Sequence, residues 1–107
     1  MTPPTTKWAE VDVAALRDNT AALRAFTGGR SQVMAMVKAN GYGHGALLAA
    51  RAAIAGGAWW LGVSSISEAV ELRRAGVTTP ILNVGWTMPE EMPLAVAHDV
   101  DVAVFDV

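Results

Sequence analysis

Strand-like and helix-like patterns alternate without exception along these 107 residues, which restricts the chain to folds assembled from βα units. Val33-Met34-Ala35-Met36-Val37 is an unbroken apolar run, the pattern of a strand buried on both faces in a parallel sheet. Further strands are predicted at Trp8–Val11, Trp59–Val63, Pro80–Val84 and Val100–Phe105. Between them, Asp12 supplies an N-cap for a helix whose apolar stripe is Val13, Leu16, Thr20, Leu23 and Phe26, closed by Gly28-Gly29. A Gly-rich loop, 39–45, leads into an alanine-rich helix, Leu47–Ala55, that ends at Gly56-Gly57. Ser65 and Glu68 form a capping box for a helix that stops at Gly76, with Arg73 and Arg74 at its negative end. A last helix, about Pro89–His98, is expected to kink or restart at Pro93.

Strand starts near 8, 32, 59, 80 and 100 give one βα unit per about 20–27 residues, the length a parallel crossover needs. The predicted class is α/β with a mainly parallel sheet. Two architectures share this pattern: the opening part of a (β/α)8 TIM-type barrel with strands in sequential order, or a complete five-stranded, doubly wound, flavodoxin-like domain. The second usually closes with a helix over its last strand, whereas this sequence reaches Asp106-Val107 on a strand, so the partial barrel is expected. A sheet order of 2-1-3-4-5 would support the doubly wound domain and the order 1-2-3-4-5 the barrel.

Composition narrows the function classes. The chain is long enough for one domain and too short for two. With ten acidic groups against eight basic ones and no run of Lys or Arg, it lacks the footprint of a nucleic-acid or anionic-membrane binder. Gly45 to Val63 is apolar apart from Arg51 and imitates a membrane span. Arg51 would cost about 2.5–3.5 kcal/mol there, Gly56-Gly57 interrupts the run, and it reads instead as helix, turn and strand. The absence of cysteine removes disulfides, thiolate metal sites and cysteine nucleophiles. With no apolar stretch at the N-terminus to act as a secretory signal, a cytoplasmic location is the default expectation.

Chemistry concentrates in Val37-Lys38-Ala39-Asn40-Gly41-Tyr42-Gly43-His44-Gly45, directly after a buried strand, where parallel α/β sheets place their active sites. Lys38 is one of two lysines, the other being Lys7. On position alone it reads either as a lysine reaching water from a strand end or as a Schiff-base amine, which must shed its proton to attack a carbonyl. His44 and His98 are the only histidines, so no metal set is indicated and His44 is expected to orient the loop by hydrogen bonding.

This string resembles the N-terminal part of bacterial alanine racemase, a pyridoxal-phosphate-dependent enzyme of the fold-type III barrel family. So do Trp8-Ala9-Glu10-Val11-Asp12, the Ala-Leu-Arg-x-Asn helix, Ile54-Ala55-Gly56-Gly57-Ala58, Glu68-Ala69-Val70-Glu71-Leu72-Arg73 and Pro80-Ile81-Leu82-Asn83-Val84-Gly85. The resemblance implies that Lys38 holds pyridoxal 5'-phosphate as a Schiff base and then serves as the acid/base on one face of the substrate Cα. It further implies that Tyr42 helps hold the cofactor phosphate and that Val84 packs near the cofactor ring, although ordinary barrel core is the better reading of Val84. The function implied is interconversion of L- and D-alanine, supplying D-alanine for peptidoglycan, by a full-length parent that is a homodimer. Other fold-type III enzymes, a pyridoxal-phosphate carrier and a non-catalytic binding module remain the alternatives. Gly41 stands where many relatives are expected to carry alanine, and Asn83 puts an amide in an aliphatic strand position, where it needs a buried partner or the barrel mouth. In the family the opening strand, here about 1–11, joins a C-terminal β domain, and 12–107 would be the first βα units. The pyridine-nitrogen arginine, most of the phosphate cup and the second catalytic tyrosine are expected beyond residue 107, so these residues alone are expected not to racemise alanine.

Overall fold

The computed structural model describes residues 6–106. Its sheet has four strands, β1 (Met34–Met36), β2 (Trp60–Val63), β3 (Ile81–Asn83) and β4 (Val100–Val102), all parallel and in the order β1-β2-β3-β4. That sequential order decides between the two architectures in favour of a partial barrel, since a doubly wound sheet would place its first strand inside. The helices are α1 (Val13–Phe26), α2 (Ala46–Ala55), α3 (Ile66–Arg74) and α4 (Met92–Ala97), the last preceded by a 3₁₀ turn at Pro89–Glu91. The break before Pro93 is the expected restart.

One expected strand is not there. Residues 6–12 carry no regular structure, because an extended segment becomes a strand only when a neighbour completes its ladder bonds. Trp8 is 70% exposed and its indole N–H donates to Glu10. The first five residues of the expected 1–11 segment lie outside the described residues.

Right-handed crossovers between sequential parallel strands carry the three intervening helices, α2, α3 and α4, to the same face, and burial follows. Leu61, Ile81 and Val100 form one cross-strand row and are all buried against Ala50, Ile66, Ala69, Val70, Leu72 and Ala95 of the helical layer. The neighbouring row, Met36, Gly62, Leu82 and Asp101, lies on the opposite face, where Met36 and Leu82 are half-buried and Asp101 is exposed. Gly62 is covered by Met36, whose thioether occupies the space a Cβ would need. Two layers with one open face make a slab of 51 × 45 × 22 Å. Its radius of gyration of 15.6 Å exceeds the roughly 13 Å expected of a closed domain of this length.

Local signals hold where they are short-range. Asp12 accepts the Ala15 N–H at 3.0 Å and Ser65 accepts that of Glu68 at 3.2 Å, each as the N-cap of its helix. The α1 stripe is only partly covered: Leu16 and Thr20 are half-buried, while Leu23 and Phe26 are 61% and 88% exposed. At the N-terminal ends of β3 and β4, the Arg73 guanidinium donates to the carbonyls of Val77, Thr79, His98 and Asp99 at 2.7–3.1 Å, tying α3 to the two loops that enter those strands.

Candidate functional site at the carboxyl ends of the strands

At the opposite end of the sheet, β1 runs into Val37, which donates to the Gly62 carbonyl, and then into Lys38. Beyond Lys38 the backbone turns left-handed: Ala39, Asn40, Gly41 and Tyr42 have φ of 52°, 55°, 63° and 56°. A left-handed turn costs non-glycine residues about 1–2 kcal/mol each, and three of these four are not glycine. Such a turn persists only when its surroundings over-determine it, and here they do. Gly41 N–H donates to Val37 O at 2.9 Å and Gly45 N–H to Asn40 O at 2.8 Å. The Asn40 carboxamide accepts the first N–H of α2, from Ala46, at 3.1 Å. Gly41 is buried so close to α2 that an added Cβ would stand 3.1 Å from Ala49 Cβ. His44 Nδ1 meets the Gly41 carbonyl at 2.9 Å, the expected loop-orienting bond, which requires the proton on Nδ1.

The shortest clamp on the turn comes from the first turn of α3, just after the next strand. Glu68 Oε2 accepts the Ala39 N–H at 2.7 Å, while Oε1 accepts from the Ser64 N–H at 2.9 Å, the Ser64 hydroxyl at 2.8 Å and the Ser65 hydroxyl at 3.2 Å. Partial burial alone would push this carboxyl up. The four donors outweigh it, so Glu68 titrates below its ordinary value of 4.5. The capping box therefore differs from the expected form, with Glu68 reaching past the N-cap to Ser64 and giving its second oxygen to Ala39 in the loop after β1.

Lys38 is half-buried at this mouth, and its ammonium makes no hydrogen bond or ion pair with the other described residues. Tyr42 is 60% exposed and lines a recess with Leu16, Thr20, Met36 and His44, which Lys38 does not enter. Val84 extends the β3 ladder by donating to the Val63 carbonyl at 2.8 Å. Strand alternation from core-facing Asn83 puts Val84 on the open face. Lys38, Tyr42 and Val84 thus share one end of the sheet, and no hydrogen bond among the described residues joins them. Asn83 finds the partners it needed: its amide donates to Thr87 Oγ1 at 2.9 Å and accepts the Gly85 N–H at 3.0 Å, shaping the loop after β3. Glu68 and Asn40 are site-shaping residues that sequence reasoning missed. The one available signal was that a capping carboxylate has a second oxygen.

An uncommitted lysine amine after the first strand of an open, sequentially ordered parallel sheet can condense with a carbonyl compound or exchange a proton with a bound molecule. Comparison with known proteins narrows this. A family model described as alanine racemase, N-terminal domain, matches residues 11–107. The alanine racemase of Symbiobacterium thermophilum is 48% identical over 99 residues, covering 92% of this chain and 26% of that protein. That of Desulforamulus reducens is 46% identical over 98 residues with the same coverage. Among solved structures, alanine racemase from Bacillus anthracis superposes with a TM-score of 0.90 at 37% identity over 96% of this chain. The enzyme from Streptomyces lavendulae does so with a TM-score of 0.88 at 47% identity and the same coverage of this chain; each match covers 27% of the solved chain. The chain spans about a quarter of the length of these relatives. With nearly its whole length matched in sequence and in fold, the chain belongs to the alanine racemase N-terminal domain family.

Proposed function

We propose that this chain provides the lysine-bearing part of a pyridoxal-phosphate-dependent alanine racemase, with Lys38 as the residue to which the cofactor attaches. One observation carries the reading: a half-buried lysine, its amine without a partner among the described residues, stands at the carboxyl end of β1, in the loop that a left-handed turn holds in place. The residues fit the group. Lys38 offers the nucleophile, Val84 an aliphatic surface on the same open face, and Tyr42 a hydroxyl at the loop's rim for a phosphate oxygen. The cofactor supplies an electron sink for charge developing at the substrate Cα. Lys38 Nζ then carries a proton to or from one face of that carbon.

Racemisation needs a proton donor on each face. Tyr42 is the only tyrosine of the sequence and lies in the same loop as Lys38, so the second donor comes from outside these residues. The working form is a homodimer of the longer protein, and D-alanine for cell-wall peptidoglycan is its product. Its proposed location is the cytoplasm; among the described residues no helix is long and apolar enough to cross a membrane.

The test is borohydride trapping of pyridoxal 5'-phosphate on the protein as its gene encodes it, followed by peptide mass mapping. Modification concentrated on Lys38 and lost in Lys38→Ala is expected; modification of Lys7 alone, or of neither lysine, refutes the assignment. Measurable racemisation by residues 1–107 alone, abolished by Lys38→Ala, would show that a second donor lies within them.

A further inference from the structure

We propose that Glu68 is the positioning residue for Lys38, holding the Ala39 N–H from the first turn of α3 and so setting the direction in which the lysine leaves β1. The inference rests on the reading of Lys38 as the reactive amine. The backbone on either side of Lys38 is set by three bonds. Val37 N–H is held by Gly62 O and Val37 O accepts from Gly41 N–H, which places the lysine's amino side; Ala39 N–H is held by Glu68 Oε2 at 2.7 Å, which places its carbonyl side. The first two join backbone groups only, the one continuing the sheet ladder and the other closing the turn itself. The third is a side-chain bond spanning 29 residues of sequence, and no backbone group stands in for it: Ala39 follows β1 and starts a left-handed turn, so its N–H has no strand or helix partner.

The carboxylate is itself immobilised. Three donors from Ser64 and Ser65 hold Oε1, and those serines stand at the carboxyl end of β2, beside β1 in the sheet. Charge-assisted bonds of this kind are shorter and stronger than neutral ones. Because Glu68 also lies in the first turn of α3, the position of that helix on the sheet is transmitted to the peptide next to Lys38. A neutral carboxamide, with one oxygen, cannot accept from both the Ala39 and the Ser64 N–H. A glutamine that turns its oxygen to Ala39 must set its NH2 against the Ser64 N–H, and one that turns its oxygen to Ser64 sets its NH2 against the Ala39 N–H, so the carboxylate's hold on both N–H groups at once is lost. The turn is then free to relax, and the lysine loses its fixed direction.

The test compares wild type, Glu68→Gln and Arg73→Lys in the protein as its gene encodes it, by the ratio of Lys38 to Lys7 modification after pyridoxal 5'-phosphate and borohydride. Arg73→Lys weakens the clasp at the far end of the sheet and controls for general destabilisation. Glu68→Gln is expected to lower the ratio by about tenfold, the equivalent of one charge-assisted hydrogen bond, at a temperature where circular dichroism shows it folded; Arg73→Lys should lower the melting temperature and leave the ratio unchanged. A wild type modified at Lys38 with an unchanged ratio in Glu68→Gln overturns the positioning role and leaves the lysine reading standing. A wild type not modified at Lys38 overturns both. A measurement on the wild type alone covers the case in which Glu68→Gln does not fold: the Ala39 amide proton resonance should follow the Glu68 carboxyl titration, with its inflection below 4.5, and an Ala39 resonance insensitive to that titration overturns the proposal.

Discussion

Replacing Gly56 by alanine tests how α1 is attached to the rest of the fold. Gly56 sits at the end of α2 with φ −80° and ψ −4°, a conformation alanine adopts freely, so the substitution by itself should be mildly stabilising, by about 0.4–1 kcal/mol through the unfolded chain. Space decides otherwise. A Cβ at this position would stand 2.8 Å from Thr20 Cβ and closer still to the Arg17 carbonyl oxygen, both on α1. Neither obstacle is the end of a movable side chain. Restoring ordinary van der Waals separation requires α1 to back away by roughly 1 Å along its contact with α2, and overpacking of this kind costs about 1–3 kcal/mol. The net expectation is destabilisation of about 1–2 kcal/mol, or about 4–16 °C in melting temperature at 4–8 °C per kcal/mol. Because few residues of α1 are covered, its amides should lose hydrogen-exchange protection before those of the sheet. Thermal unfolding and exchange of Gly56→Ala against wild type measure both effects. A variant as stable as wild type, with α1 protection intact, would show that the close approach of the two helices does not constrain the fold.

Two further outcomes follow from the polar groups at the mouth. Asn83→Leu improves the apolar pattern of β3 yet should lose about 1–3 kcal/mol of stability, because the Gly85 N–H and the Thr87 hydroxyl are left without the buried amide that organises the loop; a urea midpoint at or above wild type contradicts this. Glu68 has a folded-state pKa below its ordinary 4.5, so its stabilising contribution is fully present above that pH and disappears as pH falls through the folded value. The stability difference between wild type and Glu68→Gln should therefore narrow below pH 4.5, and a difference that stays constant down to acid unfolding would argue against the carboxylate as the bonding form.

Features legible from residue order alone act within a few positions of their signal. Asp12 and Ser65 begin helices because a side-chain oxygen three residues before a free N–H is a local matter. Gly28-Gly29 ends α1 and Pro93 restarts α4 for the same kind of reason. The loop string around Lys38 likewise carried the family resemblance in nine adjacent residues. Pairing is different in kind. Trp8–Val11 and Pro80–Val84 are both short stretches with strand propensity, and only the presence of a neighbour with free ladder groups made the second a strand. The choice between sequential and doubly wound order was equally open, since both use the same βα units and differ only in where each crossover lands. The left-handed turn at 39–42 was hidden for a related reason. Ala39 and Tyr42 do not adopt it on their own account; bonds from Glu68 and Asn40 and the tight seat of Gly41 on α2 impose it. In the same way Asn83 reads as a flaw in its strand until the loop after β3 folds back and supplies the amide with both partners. These are contacts whose strength depends on desolvation and geometry at the site where distant segments meet, and such segments meet only in the tertiary structure.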